Sequence, residues 1–203
     1  MHASRCASAV VGGAVAAMLL ASPVSAQSGG MPFTIVAGIN IAGVTDVAGA
    51  GDKTGVLVGV GTSFALTKDM VLAPEALFQM NGASYGAAST SVNYLSFPIL
   101  FRYSFPASGE SGMRPYVSAG PNVALRLSCS ISGGGPGATC ATAFGKDPKS
   151  IDFGLTFGGG LEFKAGTNTF GVGLRYQIGL TDVVDGAKGK NKAIQIIGTF
   201  KIK

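Results

Sequence analysis

The chain has 203 residues, of which 32 are glycine and 12% are charged, and its formal net charge is +5. Glycine stands at about twice its ordinary share and charge at about half, a balance unlike that of a soluble domain. Beyond the N-terminal region no run approaches the roughly 20 apolar residues a spanning helix requires, which excludes a helical membrane protein.

Residues 1–26, MHASRCASAVVGGAVAAMLLASPVSA, read as a secretory signal. Arg5 precedes an apolar run from about Ala7 to Ala21, and Val24-Ser25-Ala26 forms a small-x-small cleavage site before Gln27. The run is too short for a retained anchor, and Ser22 follows Leu19-Leu20-Ala21 where lipid attachment would need a cysteine. A short segment, 27–32, then leads into one domain at 33–203. An exported chain that is apolar overall and has no spanning helix points to a transmembrane β-barrel.

Segments of alternating character, separated by turn residues, predict strands at 33–43, 54–66, 70–81, 91–105, 114–127, 151–164, 169–181 and 192–202. Eight is the smallest common membrane barrel. Three connections are short, 67–69, 106–113 and 165–168, and they alternate with longer ones at 44–53, 82–90, 128–150 and 182–191. That asymmetry belongs to barrels of the bacterial outer membrane, whose termini lie on the periplasmic, short-turn side. The expected fold is all-β, an eight-stranded antiparallel up-and-down barrel.

Parity separates two faces along each strand. In the seventh, Phe170, Val172, Leu174, Tyr176, Ile178 and Leu180 oppose Gly171, Gly173, Arg175, Gln177, Gly179 and Thr181. A solvated outer face would carry many Lys and Glu residues, whereas the non-apolar face here is mostly Gly, Ala and Ser. The small face is therefore a crowded interior, and the apolar face meets lipid. Phe33, Phe64, Phe105, Phe163, Phe170 and Phe200 share the lipid-facing parity at strand ends on one side, as an interfacial girdle would.

Six ionisable residues fall inside the strands with inward parity: Glu75, Arg102, Arg126, Asp152, Glu162 and Arg175. Isolated charges in a dry interior are too costly, so they are expected to pair, as Arg126 with Asp152, Glu75 with Arg102, and Glu162 with Arg175. Their expected role is to fix register; the alternative is a proton or ion path. The stretch FGLTFGGGLEF, Phe153 to Phe163, looks at first like a phosphate-binding loop. Alternation runs through its glycines and no helix follows, so it reads as barrel wall, with Gly158 and Gly160 inward to make room for neighbours such as Arg175.

Cys129 and Cys140 flank SISGGGPGAT and, in an exported chain, are expected to form a disulfide contributing about 3 kcal/mol in the chain-entropy model. No histidine accompanies them, and the sole histidine, His2, lies in the signal, so neither a metal site nor a Ser-His or Asp-His mechanism is expected. No cofactor and no nucleic-acid partner are suggested. In the last loop and the strand start after it, Lys188, Lys190 and Lys192 are candidates to meet lipopolysaccharide phosphates or an acidic partner, or else belong to a solvated loop.

The segments VNYLSFPILFRYSF (Val92 to Phe105), RPYVSAGPNVAL (Arg114 to Leu125), DFGLTFGGGLEF (Asp152 to Phe163) and LRYQIGLTDV (Leu174 to Val183) resemble the PorT-like outer-membrane β-barrel family, related in architecture to the OmpX and OmpA barrels. The resemblance implies an integral outer-membrane barrel, with some members tied to protein secretion, and it brings no catalytic residues. Such proteins commonly end on an aromatic residue read by the insertion machinery; here Phe200 is followed by Lys201-Ile202-Lys203, which offsets that signal. The expected role is structural, surface-interacting or secretion-accessory. A narrow channel is the runner-up and a barrel-embedded enzyme the third reading.

Overall fold

The computed structural model describes residues 31–47, 49–86, 88–107, 112–133, 139–140, 148–184 and 189–202. The signal at 1–26 and most of segment 27–32 lie outside them, as does Lys188. All described residues belong to the unit Met31–Lys203.

Nine strands follow in chain order: β1 (Phe33–Val44), β2 (Gly51–Thr62), β3 (Phe64–Ala65), β4 (Met70–Tyr85), β5 (Ala88–Ser104), β6 (Arg114–Ser132), β7 (Ile151–Ala165), β8 (Asn168–Asp182) and β9 (Lys190–Ile202). β3 continues β2 beyond Ser63, and both pair with β4, so the described strands make eight staves. Every stave is antiparallel to its neighbours. β1 pairs with both β2 and β9, and β2 with β4, which closes the sheet. The eight-stranded barrel read from periodicity is borne out.

Closure suits hydrocarbon because it leaves no stave edge with unpaired backbone groups. The two faces follow the parity of the sequence. Leu174 is 59% exposed on the outer wall, while Arg175, the next residue, is 3% exposed in the lumen. Phe153, Phe157, Val172, Tyr176, Leu180, Ile194 and Ile196 are likewise exposed, against buried Thr156, Gln177 and Gln195. A band of exposed hydrocarbon this continuous belongs in lipid. Slipping β8 by one residue would put Arg175 there, at roughly 2–4 kcal/mol near the midplane.

The predicted girdle also forms. Phe33, Phe64, Phe105, Phe163 and Phe170 are exposed at the end that carries the first and last strand ends. There the Phe170 and Phe200 rings lie 4.8 Å apart and Tyr103 meets Phe105 edge-on at 5.0 Å.

The predicted alternation of loop length does not hold throughout. β4 and β5 stay paired as far as Tyr85 and Ala88, so the expected 82–90 loop shrinks to Gly86 and residue 87. Gly86 has a φ of 57°, which permits the tight turn. Glycine and serine around it look like loop composition. Polar side chains do not stop a ladder, however, when both backbones are already held in register. β6 likewise runs on to Ser132, paired with Ser89. Near its end Cys129 and Cys140 are disulfide-bonded, with Cα atoms 6.1 Å apart, tying Cys140 to the β6 extension.

Followed once round the barrel, the partner ladder is staggered. From Gly43 it passes Lys192, Ile178, Leu155 and Pro121; continuing the β5–β6 and β2–β4 registers by one position each, it crosses β5 and β4 at Ile99 and Pro74 and returns through Thr62 to Phe33, a shift of ten residues (43 − 33). Such a stagger accompanies strands tilted by about 35–45°.

Closure predicts a folded form that resists detergent until heated. Unboiled and boiled samples on a detergent gel should migrate differently, and identical migration would contradict the closed sheet.

Candidate functional site: the barrel lumen

The lumen is where the chain concentrates buried charge. Glu75 on β4 and Arg175 on β8 each have inward parity, and the barrel brings them together across 100 residues of sequence. Arg175 donates from Nη1 to Glu75 Oε2 at 2.6 Å and from Nη2 to Oε1 at 2.7 Å, a two-pronged pair whose side chains are almost wholly buried. Such geometry is strong because the planar guanidinium matches the carboxylate.

A second pair lies beside it. Arg102 on β5 donates from Nη1 to Glu162 Oε1 on β7 at 2.6 Å, and Lys201 Nζ on β9 stands 3.5 Å from the same oxygen. The Arg102 guanidinium carbon lies 4.2 Å from the centre of the Tyr116 ring, so the cation also rests on an aromatic face. Tyr116 comes from β6, the stave between β5 and β7. A Cβ at Gly160 would lie 2.8 Å from the Tyr116 hydroxyl oxygen, and one at Gly173 would lie 2.5 Å from it. A Cβ at Gly158 would meet Arg175 Cγ at 2.8 Å. Gly158 and Gly160 of FGLTFGGGLEF, with Gly173 opposite, therefore leave the space that Arg175 and Tyr116 occupy.

These contacts correct the expected pairing. Arg102 stands opposite Val71, four positions from Glu75 (75 − 71), and Arg175 stands opposite Gly158, four from Glu162 (162 − 158). Counting heights from strand ends ignored the stagger of the staves. In the closed barrel each arginine reaches a carboxylate on a non-adjacent stave instead.

Asp152 also departs from expectation, since it forms no ion pair with Arg126. Its carboxylate accepts hydrogen bonds from Thr181 Oγ1 and from Asn191 Nδ2, the latter at 2.6 Å, and Asn191 Nδ2 is 3.3 Å from the Tyr94 hydroxyl. Arg126 pairs along the ladder with Tyr94, next to an irregularity between Asn93 and Tyr94, and it lies two positions beyond Ala124, the partner of Asp152 (126 − 124). The β6–β7 ladder itself is regular there, so Arg126 and Asp152 stand two positions apart instead of opposite one another.

Neutral groups fill the remainder. Asn40 Nδ2 donates to Asn81 Oδ1 at 2.6 Å and to the Met80 carbonyl at 2.9 Å, Ser96 Oγ donates to Asn122 Oδ1 at 2.6 Å, and Gln195 Nε2 donates to Gln177 Oε1 at 3.2 Å. Val36, Leu57, Leu77 and Ile197 pack together as an apolar plug. An eight-stranded barrel is just wide enough for its own side chains, and these project into it from several walls.

Sequence reasoning missed Tyr94, Tyr116, Asn191 and Lys201 as members of this network. A signal for Tyr116 existed: a large inward residue on one stave beside inward glycines on the next. Of the predicted lysines, Lys190 is exposed at the start of β9 and Lys192 Nζ lies 3.4 Å from Asp52.

Comparison with known proteins places this geometry among barrels of one kind. The family model described as "Outer membrane protein beta-barrel domain" matches residues 25–185. Among solved structures, Neisserial surface protein A is similar, with 17% identity over 84% of this chain and 96% of that one and a TM-score of 0.56. OprG from Pseudomonas aeruginosa is similar with 15% identity, 84% and 95% coverage and a TM-score of 0.51. The outer membrane enzyme PagL has 20% identity, 83% and 98% coverage and a TM-score of 0.44, too low to argue from. No curated protein sequence matches the chain.

Breaking the buried pair from one side should be harsher than removing it whole. Arg175→Met leaves Glu75 buried and unpaired and should cost about 3–5 kcal/mol, whereas Arg175→Met with Glu75→Leu should regain most of that loss. Urea midpoints of the heat-sensitive folded band measure both; equal losses would show that the pair is not the source.

Proposed function

Because the chain belongs to the outer-membrane β-barrel domain family, we propose that it is a closed, non-conducting envelope barrel that acts through its surfaces and performs no catalytic step. The observation that carries this reading is the side-chain filling of the lumen. Arg175 with Glu75 and Arg102 with Glu162 bridge non-adjacent staves, and Tyr116 lies against Arg102. Residues 27–203 hold no histidine, which removes the commonest proton-exchanging group of hydrolytic sites. A solute would have to displace ion pairs whose separation costs several kcal/mol.

In this reading the termini face the periplasm and the opposite end, with the Cys129–Cys140 disulfide, faces outward. Surface contact or an accessory part in secretion is then the role of that end. The resemblance of Val92 to Phe105 and Arg114 to Leu125 to PorT-like barrels favours the secretion version. The buried charges serve the same end by holding the wall rigid and in register.

A narrow channel is the second reading, and one observation favours it. Asn40 Oδ1 and Gln79 Oε1 are buried without a hydrogen-bond partner among the described residues, and buried amides of that kind are ordinarily satisfied by water. Planar-bilayer recording separates the two. The purified barrel should give no stable open level, and discrete, ion-selective openings would overturn the closed-barrel reading in favour of the channel.

A further inference from the structure

The outer wall changes character at one height near the end opposite the termini. On β2 the outward series Val60, Val58, Val56 gives way to Lys53 and Asp52; on β9 Ile196 and Ile194 give way to Lys192. On β5 Phe97 and Leu95 give way to Asn93, Ser91 and Ser89, and on β6 Leu127 gives way to Ser128, whose hydroxyl oxygen accepts a hydrogen bond from Asn93 at 3.0 Å. Hydrocarbon stops there on these four staves. That border is the level at which lipid headgroups sit.

Two lysines lie flat along this border because glycines clear their way. Lys53 crosses β4 over Gly82, where a Cβ would meet its Cδ at 2.9 Å, and its Nζ donates to Ser91 Oγ and, at 3.3 Å, to Ser89 Oγ. Lys192 lies against Gly43, where a Cβ would meet its Cε at 3.1 Å, and reaches Asp52 at 3.4 Å. The β2–β4 ladder is irregular between Asp52 and Leu57, which lets the consecutive Asp52 and Lys53 both lie on the outer wall.

The chemistry of this patch suits a phosphate. Among the described residues no carboxylate lies within ion-pair distance of Lys53, so its charge is opposed only by hydroxyl oxygens. Each hydroxyl that accepts from Nζ keeps its own proton to donate. Asp52 offsets one of the two lysines, leaving one net positive charge and two oriented hydroxyls.

We propose that Lys53, Ser89, Ser91 and Lys192 form a site on the outer wall for a phosphate group of lipopolysaccharide. The choice of that lipid rests on the orientation proposed above, which puts this end in the outer leaflet. The site itself rests only on where the hydrocarbon band ends.

The test uses the full folded barrel in neutral detergent, titrated separately with lipopolysaccharide, phosphatidylglycerol and inorganic phosphate, with bound lipid read by native mass spectrometry. Lys53→Gln, and separately Ser89→Ala with Ser91→Ala, should each raise the half-saturating lipopolysaccharide concentration about tenfold. Lys164→Gln, at the other end, should leave it unchanged, and heat-dependent mobility confirms that every variant is folded. Binding by Lys53→Gln equal to that of the parent chain overturns the site. A Lys53-dependent preference for phosphatidylglycerol overturns the choice of lipid and the orientation together, and competition by inorganic phosphate at the same concentration overturns a lipid ligand.

Discussion

A chain that crosses hydrocarbon on strands must pair every backbone donor and acceptor within its own ring, since lipid supplies no partner. Nearly everything else in this protein follows from closing that ring with eight staves. Closure fixes the lumen at about the width of its own side chains, so inward residues must be small, or large opposite small. The inward glycines at 158, 160 and 173 and the large Arg175 and Tyr116 are the two halves of that fit. The outer wall is released from any such limit and carries mostly branched and aromatic hydrocarbon, with small residues such as Ala37, Ala119 and Gly198 among them.

Polar groups enclosed in so narrow a space are expensive unless they find each other. Arg175 with Glu75, and Arg102 with Glu162, Lys201 and Tyr116, tie staves that are not neighbours in the sheet. The ladder alone holds each stave only to the next. Cross-lumen pairs add bonds through the middle, which resist shear between distant staves and make a register slip doubly unfavourable. The same cross-lumen pairs that stiffen the wall also occupy the lumen, so rigidity and a narrowed interior have one physical origin.

At the end opposite the termini the constraint relaxes. Strands β4, β5 and β6 continue beyond the hydrocarbon band with serine, threonine and asparagine, and a disulfide ties Cys140 to the last of them. Backbone pairing persists there because the ladder below already aligns the chains. The result is a polar collar continuous with the barrel, where Lys53, bent across Gly82, meets two hydroxyls and Lys192 meets Asp52.

Much of this was legible in the order of residues alone. A period of two is printed directly in β8, where Leu174 faces lipid and Arg175 the lumen, and the eight staves, their faces, the aromatic girdle and the Cys129–Cys140 bond all follow from local pattern and compartment. Partnership across the lumen is not local. Which arginine meets which carboxylate depends on the ten-residue stagger accumulated around the ring, so Glu75 found Arg175 and Glu162 found Arg102, although neighbour counting matched them otherwise. The turn at Gly86 and the outward placement of Lys53 depend likewise on ladders formed with other staves. The sequence by itself determined that the chain is a lipid-facing barrel with a charged, crowded interior, because parity is a property of each strand. Only the tertiary structure decided the contacts within that interior and along its rim, because they are set by how far each stave slides against the next.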